Sequence, residues 1–503
     1  MPAQTTTVIE IDEIQGNVLY AYGECFSYAR YVLLRITNAA SARERVRWWV
    51  EEVTFGRRPQ DLPPAVDARP HVNIAFTFPG LRSLGVPDDL LFTFPEEFRQ
   101  GPRERAKDNG DVGDGSAEHW IEGLGTGHIL LVVHAHDEEG RDRLVADLLK
   151  GIDASMTVLH DLSAARLKTR RAPGRVQAET AQSGQAICNI ALDREHFGFS
   201  DGCSQPAIEG LHDDPTGGGV YVRTPLTGWQ PVWSFELLLE DLGLKSVRKH
   251  WRSIRPGEFV LGYDNEDGVL PTGPPDPLGP NGTFMVYRPM SQDVPTFDTY
   301  VADEAQRLEL DPELVRAKIV GRWPDGTPLT LCPERRDVLI ATDRRRANDF
   351  LYQEAGNGYP ADTDGYGCPL GAHVRRANPR DALPGGGERT MRHRIIRRGM
   401  PYGERDGTGD RGLVFVCFNA SIANGFEFIL RTWCNDGAAL GLAERDLLLQ
   451  QGDPEKFTGM VIQFPDNRTV VLKPPPKPFV TVRGCEYLFV PSRRACQWLA
   501  NLR

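Results

Sequence analysis

The chain has 503 residues, enough for two or more domains, and its 40% hydrophobic and 25% charged content is that of a globular protein with a large core. Its 58 basic against 69 acidic residues leave a formal charge of −11, which opposes the phosphate neutralisation on which nucleic-acid binding depends, so no nucleic-acid partner is expected. No apolar run approaches the ~20 residues of a membrane-spanning helix. Nor does a basic region followed by an apolar one open the sequence, so a cytoplasmic chain without a membrane partner is expected. Nine cysteines without a Cys-x-x-Cys pair argue against a disulfide framework or a structural zinc site.

In chain order, "YARYVLLRIT" (28–37) reads as a strand and "SARERVRWWVEEV" (41–53) as a helix. "HVNIAFTF" (71–78) and "GHILLVVHAH" (127–136) are strands, "EEGRDRLVADLLKGI" (138–152) is a helix, and "SMTVLHDL" (155–162) is a closing strand. This β-α-β-β-α-β order is that of a ferredoxin-like fold, an antiparallel sheet with helices on one face. After the polar stretch 168–185 and the Pro/Gly-dense stretches 213–219 and 270–282, the theme repeats. Strands are predicted at 283–290, 392–400 and 412–420, helices within 294–310 and over 421–433, and a hairpin at 479–490. The pattern predicts an α+β protein of two ferredoxin-like domains, 1–213 and 214–503, the second with an insertion near 310–370.

Four groups of residues could carry chemistry. His134 and His136 point to one face of a strand and could share a metal, but no third ligand accompanies them at a recognisable spacing, which favours an ordinary polar strand end. His373 lies in "GCPLGAHVRRANPRDA" (367–382), where a neutral imidazole could ligate haem iron and Arg375, Arg376 and Arg380 could meet the two propionates. A purely structural histidine stays open at that position. In "RHRIIRRGMPYG" (392–403), alternation turns either Arg397 or Arg398 inward, where it needs an anionic partner; a surface arginine ladder is the alternative. In "HFGFSDGCSQPAIEG" (196–210), Asp201 sits between Gly198 and Gly202 with no basic residue nearer in sequence than Arg194.

The segments "GFSDG", "GAHVRRANPR" and "RIIRRGMPYG", in that order, resemble the signatures of the dye-decolorising peroxidases, and "EIQGNVLYAYG" (13–23) and "VTVRGCEYLFVPS" (480–492) extend the likeness over nearly the whole chain. Length and insertion are similar to the longer bacterial and fungal members. The resemblance implies noncovalent haem b in a pocket between sheet and helices, in keeping with the absence of a Cys-x-x-Cys-His motif. It makes His373 the proximal iron ligand, Asp201 the distal acid–base residue and Arg397 the distal arginine. Arg380 would face a propionate, and Gly198 and Gly202 would let the backbone pass close to the haem. Glu427 would accept from the second imidazole nitrogen, an exposed helix acid being the alternative.

The implied activity is reduction of hydrogen peroxide with oxidation of dyes, phenolics or other one-electron donors through an oxyferryl intermediate. The competing reading is a haem-handling protein that stores haem or removes its iron, with incidental peroxidase activity. Trp229, Trp233, Tyr352, Tyr359 and Tyr366 lie in polar, turn-rich segments, where exposure would suit electron relay to bulky substrates. Nothing in the sequence points to an oligomeric state.

Overall fold

The computed structural model describes residues 8–22, 26–56, 69–167, 194–212, 214–225, 247–355, 359–384, 386–404, 409–438, 441–451, 455 and 458–502. In the N-terminal half, β1 (Tyr28–Ile36), α1 (Ala39–Glu52), β2 (His71–Phe76), β3 (Ile129–Ala135), α2 (Glu138–Leu149) and β4 (Met156–Ala165) follow the expected order. All pairings are antiparallel, in the spatial order β4-β1-β3-β2. Asn38 and Asp137 cap the two helices, each side chain accepting from the backbone amide three residues on. Strand β3 is buried along its whole length, because helices cover one face and the second half of the chain covers the other. That two-sided burial explains why "ILLVV" shows no polar alternation.

The second half repeats the topology with β5 (Thr283–Gln292), α3 (Val294–Leu308), β6 (Ile396–Arg397), β7 (Met400–Tyr402), β8 (Gly412–Asn419), β9 (Val480–Val482) and β10 (Glu486–Val490). Its order β10-β5-β8-β6 matches that of the first half, and Phe76 paired with Phe489 joins the two into one sheet. The far ends, β4 and β7, lie against each other and curl the sheet toward a barrel. Its interior packs Tyr31 and Leu33 against Met285, Tyr287, Val414 and Leu488. Inward and outward residues alternate along each strand, so Arg288, Met290, Leu413 and Phe415 face outward, toward the helices.

Three local expectations are corrected. Residues 392–400 form two short strands rather than one, because the segment before Ile396 is still leaving the turn after the helix Glu388–Met391. Residues 479–490 are not a hairpin: both β9 and β10 pair with β5, as one edge interrupted near Gly484. The helix over 421–433 is wound wide, with Glu427 N donating to Ile422 O and Asn435 N to Leu430 O at 2.9 Å each, the five-residue step of a π-helix. Among the described residues, no helix is long and apolar enough to cross a membrane.

Candidate active site

A cavity of about 300 Å³ opens between the outer face of the second half's sheet and its covering helices. Its walls bring together Asp201, Gly202, His373, Arg380 and Arg397, residues drawn from segments far apart in the chain. Apolar side chains such as Phe350, Leu413, Phe415, Ile429 and Leu448 supply most of the remaining lining.

Asp201 is carried by a tight turn. Glu195 N donates to Phe199 O at 2.9 Å and Gly198 N to Glu195 O at 2.9 Å, closing the loop ahead of the acid. Gly198 and Gly202 have φ of +94° and +73°, a left-handed backbone that a side chain would strain. A Cβ at either glycine would meet nothing within 4 Å, so conformation rather than crowding by the protein requires them. The turn is tied to the second half by His196 Nε2, which donates to Tyr402 O at 2.8 Å, and by Gln205. The Gln205 amide donates to Arg397 O at 2.9 Å and accepts from Arg397 N at 3.1 Å.

The open choice between Arg397 and Arg398 is thereby resolved. Arg397 faces the cavity and its Nη1 donates to Asp201 Oδ1 at 2.7 Å, while Arg398 points to the opposite side and donates to the carbonyls of Asn17 and Val18. About a third of each partner in the Asp201–Arg397 pair is accessible, 33% for both side chains, and both line the cavity. Burial disfavours the Asp201 carboxylate, but the Arg397 charge, the Gly202 amide and the Arg397 hydrogen bond outweigh it and hold the acid below its ordinary range.

His373 opens the short helix His373–Ala377. That helix is pinned by Arg375, which donates to Asp362 and to the Cys368 carbonyl and stacks on Tyr352, and by Arg376, which donates to the Asp436 carbonyl. Arg375 and Arg376 are thus structural. The expectation for Glu427 is corrected: His373 Nδ1 meets Asp446 Oδ2 at 2.7 Å, and Asp446 is fully buried. The Glu427 carboxylate is occupied elsewhere, accepting from Arg105 and Tyr487 and facing Arg431. Burial disfavours the imidazolium, but Asp446 more than compensates and raises the His373 pKa; Asp446 itself is lowered through the same contact, against its own burial.

Arg380 lines the cavity, yet its Nη1 is spent on the carbonyls of Asn348 and Phe350 and its guanidinium stacks on Phe350 at 3.8 Å. A neighbour to which sequence reasoning gave no role, Arg394, also lines the cavity, and its guanidinium has no hydrogen-bond or ion-pair partner among the described residues. Burial, with Arg380 and Arg397 adding like charge, depresses the Arg394 pKa to about 9. A guanidinium so placed calls for an anion. Its sequence signal was its place three residues before Arg397 in "RIIR".

This donor set fits haem. The imidazole has Nδ1 engaged by a carboxylate and Nε2 left as its ligating atom, the walls are largely apolar, and an unpaired arginine stands where carboxylates could dock. Among the described residues, no group of three or more possible metal ligands includes His134 and His136. His134 is buried, and burial with nearby His71 lowers its pKa to about 3. Of the expected surface aromatics, Tyr352 is buried at 1% exposure, Tyr359 and Tyr366 are partly exposed, and Trp229 and Trp233 lie outside the described residues.

Family models match two segments: "DyP dimeric alpha+beta barrel domain" over residues 13–167 and "Dyp-type peroxidase, C-terminal" over 344–444. The chain is 30% identical to a dye-decolorizing peroxidase of Mycena epipterygia, over 84% of this chain and 74% of that protein. It is also 30% identical to the multifunctional dye peroxidase DyP2 of an Amycolatopsis strain, over 68% of this chain and 70% of that one. Among solved structures, an ancestral D-type dye decolorizing peroxidase superposes with a TM-score of 0.72 at 26% identity, covering 97% of this chain and 99% of the other.

Proposed function

The chain belongs to the dye-decolorising peroxidase family, and from that premise we propose how its residues carry out a haem peroxidase reaction on hydrogen peroxide and aromatic or dye-like electron donors. The observation that carries the reading is the Asp201–Arg397 pair standing in one cavity with His373. His373 is the iron ligand, oriented by Asp446, whose acceptance of the Nδ1 proton makes Nε2 more electron-rich. Arg394 and the free edge of Arg380 take the propionates, and the haem is haem b held without covalent attachment. When bound, the haem supplies the redox chemistry, accepting two oxidising equivalents from peroxide and returning them singly to donors.

The remaining work falls to the distal side chains. Peroxide must lose a proton to become a good ligand, and the Asp201 carboxylate, ionised even in mild acid, takes it. The same carboxyl then delivers the proton to the departing oxygen, so that the leaving group is water. Arg397 holds Asp201 in place and places fixed positive charge where negative charge develops on that oxygen. Leu413 and Phe415 close the wall with apolar surface, which strengthens both interactions by excluding solvent. The division into two domains at residues 213 and 214 belongs to the same reading: the Asp201 turn ends the first domain and is locked to the second by His196 and Gln205.

A protein that only stored haem would have no use for the distal pair. The test is the purified protein's absorption spectrum, followed by peroxide-dependent bleaching of an aromatic dye. A Soret band with peroxide-dependent dye turnover is expected; a band without turnover would transfer the assignment to haem handling, and no band after haem addition would remove both.

A further inference from the structure

The distal wall holds a second carboxylate, which the reaction described above does not use. Glu195 lines the same cavity as Asp201 and accepts from the amides of Phe197 and Phe199 at 2.9 and 2.8 Å and from the Gln292 side-chain amide. Among the described residues, no basic side chain pairs with it. Arg288, on the adjoining strand and on the same wall, is spent on Asp111, and Arg397 is spent on Asp201. Arg316, from the helix packed behind the turn, donates to the Phe197 carbonyl and pairs with Asp298. Arg322, Arg380, Arg394 and His373 also line the cavity, the first two donating to backbone carbonyls, Arg394 left for the haem carboxylates, and His373 held by Asp446.

We propose that Glu195 is a positioning residue that gates the peroxide pocket by pH: its hydrogen bonds tie the Asp201 turn, and when neutral it leaves an anion-accepting site, whereas when ionised it adds a second negative charge and excludes anions. This rests on the haem reading of the cavity. Burial, with the Asp201 charge adding to it, lifts the Glu195 carboxyl to about 7, so the change falls near neutrality. The neutral form predominates in mild acid, where Asp201 is still ionised and competent as a base. Hydroperoxide formed by proton transfer to Asp201 then faces no negative charge from Glu195, whereas an ionised Glu195 would repel it.

The experiment compares wild type with Glu195→Gln in two ways. First, infrared titration of the haem-free protein follows the protonated carboxyl stretch; a band that bleaches with a midpoint near 7 and is missing from Glu195→Gln is expected. Second, azide binding to the ferric protein is followed by absorption from pH 5.5 to 8.5. Wild-type affinity should fall about tenfold more across that range than the variant's, the equivalent of a one-unit coupling between two charges. The proposal is overturned if the infrared band has no such midpoint, or if the variant keeps the wild-type azide profile. It is equally overturned if the variant loses azide affinity by one factor at every pH, the mark of a residue that only shapes the turn. Absence of a Soret band would instead remove the underlying haem reading while leaving the infrared result standing.

Discussion

The two halves of the chain build one topology and use its outer face in opposite ways. In the N-terminal half, α1 lays Ala42, Val46 and Trp49 against the sheet with no exposed surface, and the layer is closed. In the C-terminal half the corresponding face carries Arg288, Met290, Gln292, Leu413, Phe415 and Arg397, and the helices stand off to leave a cavity. Identical strand order therefore yields a core in one half and a reaction chamber in the other. The difference is written in side chains at outward-facing positions and in the wide-wound helix that lines the chamber. The chamber is also not self-sufficient: its acid, Asp201, comes from the segment that follows the first sheet and is bolted to the second by Gln205 and His196.

The largest effect should come from removing the group that gives the chamber its purpose. His373→Ala is expected to abolish retention of haem on purification, with the Soret band lost while far-UV circular dichroism stays that of the wild type. In the closed half, Trp49→Ala should do the reverse. It should cost about 3–5 kcal/mol in denaturant-measured stability through cavity creation and leave peroxide turnover per haem unchanged in the molecules that remain folded. If His373→Ala unfolds the protein, or Trp49→Ala empties the haem site, the two halves do not divide labour as described.

Smaller effects sharpen the picture within the chamber. Arg397→Leu should slow the reaction of peroxide by ~10²–10³-fold with haem retained, as loss of a preorganised positive group does. Asp446→Asn should reduce activity or haem affinity ~10–100-fold, and its ferric–ferrous midpoint should rise as the imidazole loses the negative charge of its acceptor. Glu427→Gln should leave that midpoint where it is and instead reduce stability, since it unpairs Arg105 and Arg431. Lowering pH gives the mildest perturbation. Asp201 is held below its ordinary value, so the base form should persist as pH falls from 7 to 5, with no loss of peroxide reactivity over that span. The pair's contribution to stability, present above the unfolded carboxylate pKa, should disappear only as pH drops through the lower folded one.

Much of this organisation was legible beforehand because the strands of both halves are long, apolar and bounded by polar turns. Strands β1, β3, β5 and β8 begin or end within a residue or two of their sequence-based limits. The failures lie in what the pattern does not encode. At 392–400 the segment before Ile396 is still leaving a turn, and at 479–490 the hydrophobic pattern was right but the pairing partner was not. Asp446 escaped notice since its role depends on distance in space. In "ERDLLLQ" it is one of two acids ahead of three leucines, and its Oδ1 caps the amides of Leu448 and Leu449 while Oδ2 serves His373. Glu427 looked suitable by helix membership. The π-winding of that helix and the pull of Arg105, Arg431 and Tyr487 direct it elsewhere.

The central claim is that Asp201 moves the protons of peroxide. Stopped-flow measurement of the second-order reaction of peroxide with the ferric haem of Asp201→Asn, at pH 5 and with haem content verified by the Soret band, tests it most directly. A fall of ~10²–10⁴-fold relative to wild type is the expected result for loss of a general acid–base group. An unchanged rate constant in a fully haem-loaded variant would contradict the account.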